Sequence, residues 1–392
     1  MKIGLGQPSR AFPVFIYSAI IFYFFICTLH LILRRPPWLD EIFLINNLKE
    51  LSPAGIFGPL KYSQGFPRLY LFIIQNLSRA FNYGVISLRA LPFVFMITGF
   101  GLWLAAFRKQ YGRGDAYLLF ILCWCGSWFM TYYAAEFKQY SADVFAAGAF
   151  TYFILKQKES VLSGALRPRL FLQYLFLPVL LLFSYAAYFF IIIPAYNLLL
   201  SSLRQRRSLF YLAAYLLSIA AFSFLSYNYD LKYTLAAPAL HGYWESYFIS
   251  TASPAAFMET FWEGLRNIFV RWFEQGPPVT WIMTIFMPFA LYYAFRYGIK
   301  QFRADKYLCV SLDSLTIVLL AGLFFTGLLR AFPFTAGRVT LFIAPFIFCA
   351  IIKGAEIFKA KFWAGYAVLT AGFVFTLLSV SMRLVSRYMP LY

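Results

Sequence analysis

The chain is expected to fold as an all-α, polytopic transmembrane helical bundle, and two observations predict this. Of its residues 62% are hydrophobic and 12% charged, against about 45–50% and about 25% in an ordinary soluble domain. The apolar residues also form continuous runs near the ~20 residues a spanning helix needs, not the ~10-residue alternating segments of a membrane barrel. Helices satisfy each backbone donor and acceptor within the segment, as lipid demands. The formal net charge of +19 does not indicate nucleic acid. Its cations stand singly or in small groups between apolar runs, a distribution suited to membrane topology and anionic head groups.

Taken in order, the N-terminal stretch is basic and then apolar over 13–33. It is too long for an ordinary cleaved signal and reads as a retained first span. The first polar break follows, RRPPWLDEIFLINNLKELSPAGIFGPLKYSQGF at 34–66. Residues 34–85 are expected to form the first extracytoplasmic loop, with 40–51 and 67–81 as amphipathic helices in the interface. Further spans are expected near 86–107, 115–133, 139–155, 169–185, 186–203, 208–227, 278–297, 312–330, 338–353 and 363–382, giving about eleven within a single membrane domain, 1–392. The hairpin over 169–203 has only Ser184 and Tyr185 to turn on. Were 67–81 also a span, each later loop would change sides. The positive-inside rule decides against it, because eleven spans leave each inside loop basic, as at Arg108, Lys109 and Arg113 or Arg204, Arg206 and Arg207. The aromatic-rich 228–277, with Glu245, Glu259, Glu263 and Glu274, then lies outside as a cap. Cys27, Cys123, Cys125, Cys309 and Cys349 fall in apolar stretches and are expected as buried free thiols, with neither a zinc site nor a disulfide framework.

Under this topology the polar features meet on one face. Asp40 and Glu41 follow a PPW sequence that ends the first helix and starts the next. One reading is a pair of acids interacting with the helix dipole. The other is a carboxylate that takes a proton from an attacking hydroxyl, with Asp40 as the base. Glu136 and Lys138 lie in a short loop at membrane depth, where charges are costly and tend to be paired or functional. Lys138 is a compact cation suited to a phosphate, or the partner of Glu136 in a loop ion pair. Arg338 opens the tenth span and either clamps a phosphate bidentately or snorkels to head groups. Asp143, within the fourth span, needs a partner that the sequence does not name. His30 reads as the end of the first helix near the interface, and His241 carries no signal.

Four stretches carry a family resemblance: WLDEIF at 38–43; FPRLYLFIIQNLSRAF at 66–81 leading into ISLRALPFVFMITGFGLWLAAF at 86–107; AAEFKQYSADVF at 134–145; and FPFTAGRVTLFIAPF at 332–346. With these the chain resembles the GT-C superfamily of membrane glycosyltransferases, in particular bacterial relatives of dolichyl-phosphate-mannose protein mannosyltransferases and aminoarabinose lipid A transferases. The first three stretches match in order and spacing over roughly the first 155 residues. The resemblance implies an inverting transfer of a sugar from a polyprenyl-phosphate donor to a glycan, lipid or protein acceptor. The reaction would face the periplasm or exterior of a bacterial inner membrane. Asp40 matches the position of the base, with Glu41 beside it, and Lys138 and Arg338 match places where such enzymes hold the donor phosphate. Glu136, Tyr140, Arg89 and Arg330 lie in or beside the same motifs as supporting residues. Large members add a soluble outer domain; no such domain is expected here, and acceptor recognition is expected from 228–277. Some relatives bind a divalent metal and others do not; a single acid pair and two histidines favour no obligatory ion. The competing class is a polytopic transporter or lipid-linked saccharide flippase, which predicts repeated halves and polar sites at the midplane. A polymerase or ligase of lipid-linked glycans is disfavoured by the acid pair directly after the first span.

Overall fold

The computed structural model describes residues 11–33, 36–62, 64–163, 166, 168–236, 242–273, 277–335 and 337–361, and among them each regular element is helical. In chain order these are α1 (Ala11–Ile32), α2 (Leu39–Glu50), α3 (Arg68–Arg79), α4 (Val85–Tyr111), α5 (Asp115–Gly126), α6 (Trp128–Tyr132), α7 (Tyr140–Ser163), α8 (Pro168–Phe176), α9 (Ala187–Phe190), α10 (Ile192–Ser202), α11 (Arg207–Ser226) and α12 (Lys232–Leu235). They continue with α13 (Pro254–Val270), α14 (Pro277–Ala304), α15 (Leu312–Leu328) and α16 (Ala344–Lys361). Among the described residues three stretches can cross a membrane by length and apolar composition: Val85–Tyr111, Arg207–Leu235 and Arg338–Ala355. There are four if Asp115–Gly126 and Trp128–Ala135, bent by 64°, count as one. Ile16–Ile32, Leu170–Leu182, Ala187–Ser202 and Leu312–Leu328 are apolar but shorter. This helical content suits an integral membrane protein.

Three of the expected spans are interrupted, for local reasons. The run 115–133 breaks at Gly126 and Ser127, a residue pair at which helices kink. The run 169–185 passes from α8 into a 3-10 turn, Leu177–Leu182, where Pro178 removes an amide donor. The run 186–203 is divided between α9 and α10. The span expected at 363–382 lies outside the described residues. The cap begins later than expected, because α11 continues through a π turn, Tyr227–Leu231, into α12.

The large apolar core is centred on α4 and α7. Gly99 of α4 lies against the backbone of α7, where an added Cβ would come within 3.1 Å of the Phe145 Cα. Such small residues let membrane helices approach closely. At the next turn of the same contact the Trp103 indole donates to the Val144 carbonyl at 3.2 Å.

A second, smaller apolar core lies under α2 and α3 and includes Leu44, Leu48, Phe66, Tyr70, Leu71, Ile74 and Phe137. With 12 residues α3 is about 18 Å long, too short for a hydrocarbon layer of ~30 Å. It buries Tyr70, Leu71, Ile74 and Ser78 on one side and leaves Ile73 and Leu77 exposed. Gln75 donates from Nε2 to the carbonyls of Leu48 (2.9 Å) and Leu51 (2.8 Å), meeting acceptors that the end of α2 leaves unsatisfied. Asn47 holds the returning strand of the loop, accepting from the Lys61 amide at 2.8 Å and donating to its carbonyl at 3.2 Å. The first loop is therefore a packed layer with its own polar fastenings.

Candidate active site

The two adjacent acids have different surroundings because successive residues of a helix point about 100° apart. Glu41 turns inward and is fully buried. Its Oε1 accepts from Arg89 Nε at 3.0 Å and from the Phe137 amide at 2.8 Å; its Oε2 accepts from Arg89 Nη2 at 2.7 Å and from the Trp38 amide at 3.2 Å. This one carboxylate ties together the start of α2, the first turns of α4 and the loop before α7. Breaking such a buried pair from one side typically costs about 3–5 kcal/mol. Glu41, expected beside the base, thus faces away from the cavity, and Arg89 is its clamp.

Asp40 turns outward into a cavity of about 550 Å³ that is also lined by Gln64, Lys138, Tyr140, Tyr185, Tyr243, Trp244 and Arg338. Its Oδ2 lies 2.7 Å from Arg338 Nη1 and 3.9 Å from Lys138 Nζ. Residues 98 and 298 positions away in sequence therefore converge on the same oxygen. The Arg338 guanidinium is framed by rings, its carbon 4.9 Å from the Trp38 centroid, 5.5 Å from Tyr243 and 5.9 Å from Trp244. Its Nη2 also donates to the Tyr243 hydroxyl at 3.2 Å. Aromatic faces attract the cation while leaving its other N–H groups for an acceptor.

Lys138 is 5% exposed and donates to Gln64 Oε1 at 2.8 Å. Burial pushes its ammonium down to about 8, with Asp40 opposing the shift and Arg338 adding to it. Two cations face the one carboxylate that lines the cavity, and the buried Glu136 adds a second negative charge close to Lys138. Taking a charge out of water is unfavourable unless it is compensated, and here the cations share the Asp40 carboxylate at the wall of a cavity instead of being packed each against its own partner.

The other expected residues fall around this centre. Glu136 accepts from the Trp38 indole at 3.0 Å and so orients one of the rings at Arg338. Tyr140 lines the cavity at the first residue of α7. Arg330 does not line it: the residue is exposed and pairs with Glu245. Asp143 finds its partners at the broken hairpin, accepting from Ser184 Oγ at 2.6 Å and from the Ala186 amide at 3.2 Å. His30 is in the last turn of α1 but is buried in the core, with Nε2 3.1 Å from the Tyr132 carbonyl oxygen. His241 lies outside the described residues. All five cysteines are free and buried.

The residues that sequence reasoning passed over at the cavity are Gln64, Tyr185, Thr234, Tyr243 and Trp244. Tyr243 and Trp244 come from the expected cap, whose aromatic richness was the available signal. The cap is anchored through the loop after α15: an added Cβ on Gly264 of α13 would collide with the Phe334 carbonyl oxygen, so these segments touch backbone to backbone. Arg338 follows that loop in a 3-10 turn, Arg338–Ile343, that leads into α16.

Among the described residues no group of three or more His, Cys, Asp or Glu is placed to hold a metal ion. Comparison with known protein families, curated proteins and solved structures finds no match to the chain.

Proposed function

We propose that the chain is a GT-C type membrane glycosyltransferase. It would move a sugar from a polyprenyl-phosphate donor to a hydroxyl or amine of a glycan, lipid or protein acceptor. The observation that supports this best is the convergence of Asp40, Lys138 and Arg338 on one cavity, joined to the resemblance of the three stretches that carry them. The reading places the α2 end outside a bacterial inner membrane and has the shorter and interrupted apolar helices also crossing, towards the eleven spans of the sequence pattern.

In this reading the donor phosphate is held by Lys138 and Arg338. Both cations approach Oδ2 of Asp40, which leaves Oδ1 to take the acceptor proton. As that proton passes to the carboxylate, the acceptor oxygen or nitrogen forms a bond to the anomeric carbon. The bond from that carbon to the phosphate oxygen breaks on the opposite face, inverting the centre, and the phosphate leaves with the electron pair. A phosphate is already a good leaving group, so positioning and charge stabilisation are what the protein must supply. No step requires a metal.

The transporter reading keeps the interrupted helices in its favour, among them the bent pair Asp115–Gly126 and Trp128–Ala135, since transporters use broken helices. A transfer assay separates the two. With labelled polyprenyl-phosphate sugar and acceptor membranes, Asp40→Asn should fold and insert normally but lose transfer by about 10²-fold or more. Turnover equal to wild type would reject Asp40 as base; passage of intact donor across the bilayer, with no transfer, would favour the transporter.

A further inference from the structure

On the side of the cavity formed by the broken hairpin and the end of α11, Tyr185 and Thr234 line the same space as the cations. Neither hydroxyl is loose. Tyr185 donates to Oδ1 of Asp230 at 2.9 Å, and Thr234 donates to the same oxygen at 3.1 Å. Asp230 is 3% exposed and sits in the π turn Tyr227–Leu231, while the backbone around Tyr185 is fixed by the Asp143 contacts to Ser184 and Ala186. Helices carry single π turns frequently at functional sites. Here the turn places a carboxylate behind two hydroxyls that are spaced 3.4 Å apart.

A hydroxyl has one hydrogen and two acceptor lone pairs. With both hydrogens committed to Asp230, the oxygens of Tyr185 and Thr234 can offer only acceptors to whatever occupies the cavity. We propose that Tyr185, Thr234 and Asp230 form a subsite that reads the hydroxyl groups of a sugar. It lies in the same cavity as the cations that take the phosphate. The inference rests on the glycosyltransferase reading and adds to it: phosphate recognition and sugar recognition come from different elements. The sugar in question belongs either to the donor or to a glycan acceptor; both present the same O–H donors.

Binding to the detergent-solubilised full chain tests this with probes of equal charge. Farnesyl methyl phosphate carries the monoanionic diester without a sugar, and farnesyl hexosyl phosphate carries it with one. A free methyl hexoside, titrated in the presence of farnesyl methyl phosphate, stands for an acceptor sugar. Tyr185→Phe and Thr234→Val each remove one oxygen while keeping the side-chain shape. The expected result is that farnesyl methyl phosphate binds both variants as it binds wild type, while the advantage of the hexosyl diester falls by about threefold to tenfold in each. If the methyl hexoside weakens instead, the subsite reads the acceptor. A sugar advantage that is absent in wild type, or unchanged in both variants for both sugars, overturns the subsite. Arg338→Gln marks the other failure: if it leaves farnesyl methyl phosphate binding intact, or if wild type binds no diester, the phosphate reading falls and the subsite falls with it.

Discussion

Lys138, just before α7, and Lys158, near its far end, stand roughly 30 Å apart along one helix, and each faces an aspartate. Their settings differ. Lys158 lies 2.8 Å from Asp305, which also accepts from Gln301 at 2.9 Å, so one cation meets one anion and α7 is fastened to the end of α14. Nearby, Asp313 of α15 is fastened to the end of α4 by neutral donors, accepting from Tyr111 at 2.7 Å and from Gln110 at 2.9 Å. At the Lys138 end two cations share one carboxylate beside a cavity. The comparison teaches how to separate charges that staple helices from charges held ready for a ligand: the first are paired one to one and closely packed, the second share a carboxylate and open onto space.

The largest expected effect breaks the scaffold of the ligand end. Glu41→Gln leaves the buried Arg89 guanidinium without its anion and should destabilise the protein by about 3–5 kcal/mol. The check is thermal unfolding in detergent, with loss of folded material. A stable Glu41→Gln protein would mean that the buried pair does not organise this layer. Next in size, Arg338→Gln should weaken binding of a phosphodiester by about tenfold to a hundredfold, the range for a hydrogen bond to a charged group, with little change in unfolding temperature. A large loss of stability in that variant would make Arg338 a staple like Lys158.

The pH response sharpens the contrast further. The Lys138 ammonium is held down to about 8 by burial, so it is charged below that pH and neutral above it. Affinity for a phosphodiester, whose own charge is constant there, should fall as pH rises through about 8. Stability should move the other way: between about 8 and about 10.4 the unfolded chain binds more protons at this residue than the folded one, so folding becomes more favourable with rising pH. Lys138→Arg keeps its charge throughout and should flatten the binding profile over pH 7 to 9.5. A wild-type profile already flat in that range would remove Lys138 from the phosphate site.

Local chemistry explains which of these features the sequence disclosed. The helices at Leu39–Glu50 and Arg68–Arg79 lie close to where the polar break and the short apolar pattern placed them. The clustering of Asp40, Lys138 and Arg338 was expected from a topology in which alternating loops would put those segments on one face. What distinguishes Asp40 from Glu41 was not reachable: the helix period says that neighbours point apart but not which one meets Arg89, 48 residues away. Asp143 had no visible partner because Ser184 and Ala186 act through a hairpin break 41 and 43 residues further on. Asp230 fell within the expected cap at 228–277 without a reading of its own, since a π turn has no simple period to betray it. The interruptions at Ser127 and Pro178 were written in residues that disfavour helix, yet hydropathy alone runs straight through them.

The smallest expected effect is the one on which the comparison depends most. Lys158→Gln removes a cation that is about a third exposed, so water screens much of the charge and the remaining glutamine can still donate to Asp305. Surface ion pairs are generally worth about 0–1 kcal/mol, and the unfolding temperature should shift accordingly little. Phosphodiester affinity should be unchanged and should show the same fall through pH 8 as wild type, because nothing at the far end of α7 enters the cavity. The double variant Lys158→Gln with Arg338→Gln should then lose binding by the factor that Arg338→Gln loses alone, as expected for sites well separated in space. A loss greater than that would couple the two ends of the helix. The Lys158 cluster would then no longer be a simple staple, and the distinction between paired and shared charge would need a mechanical link along α7.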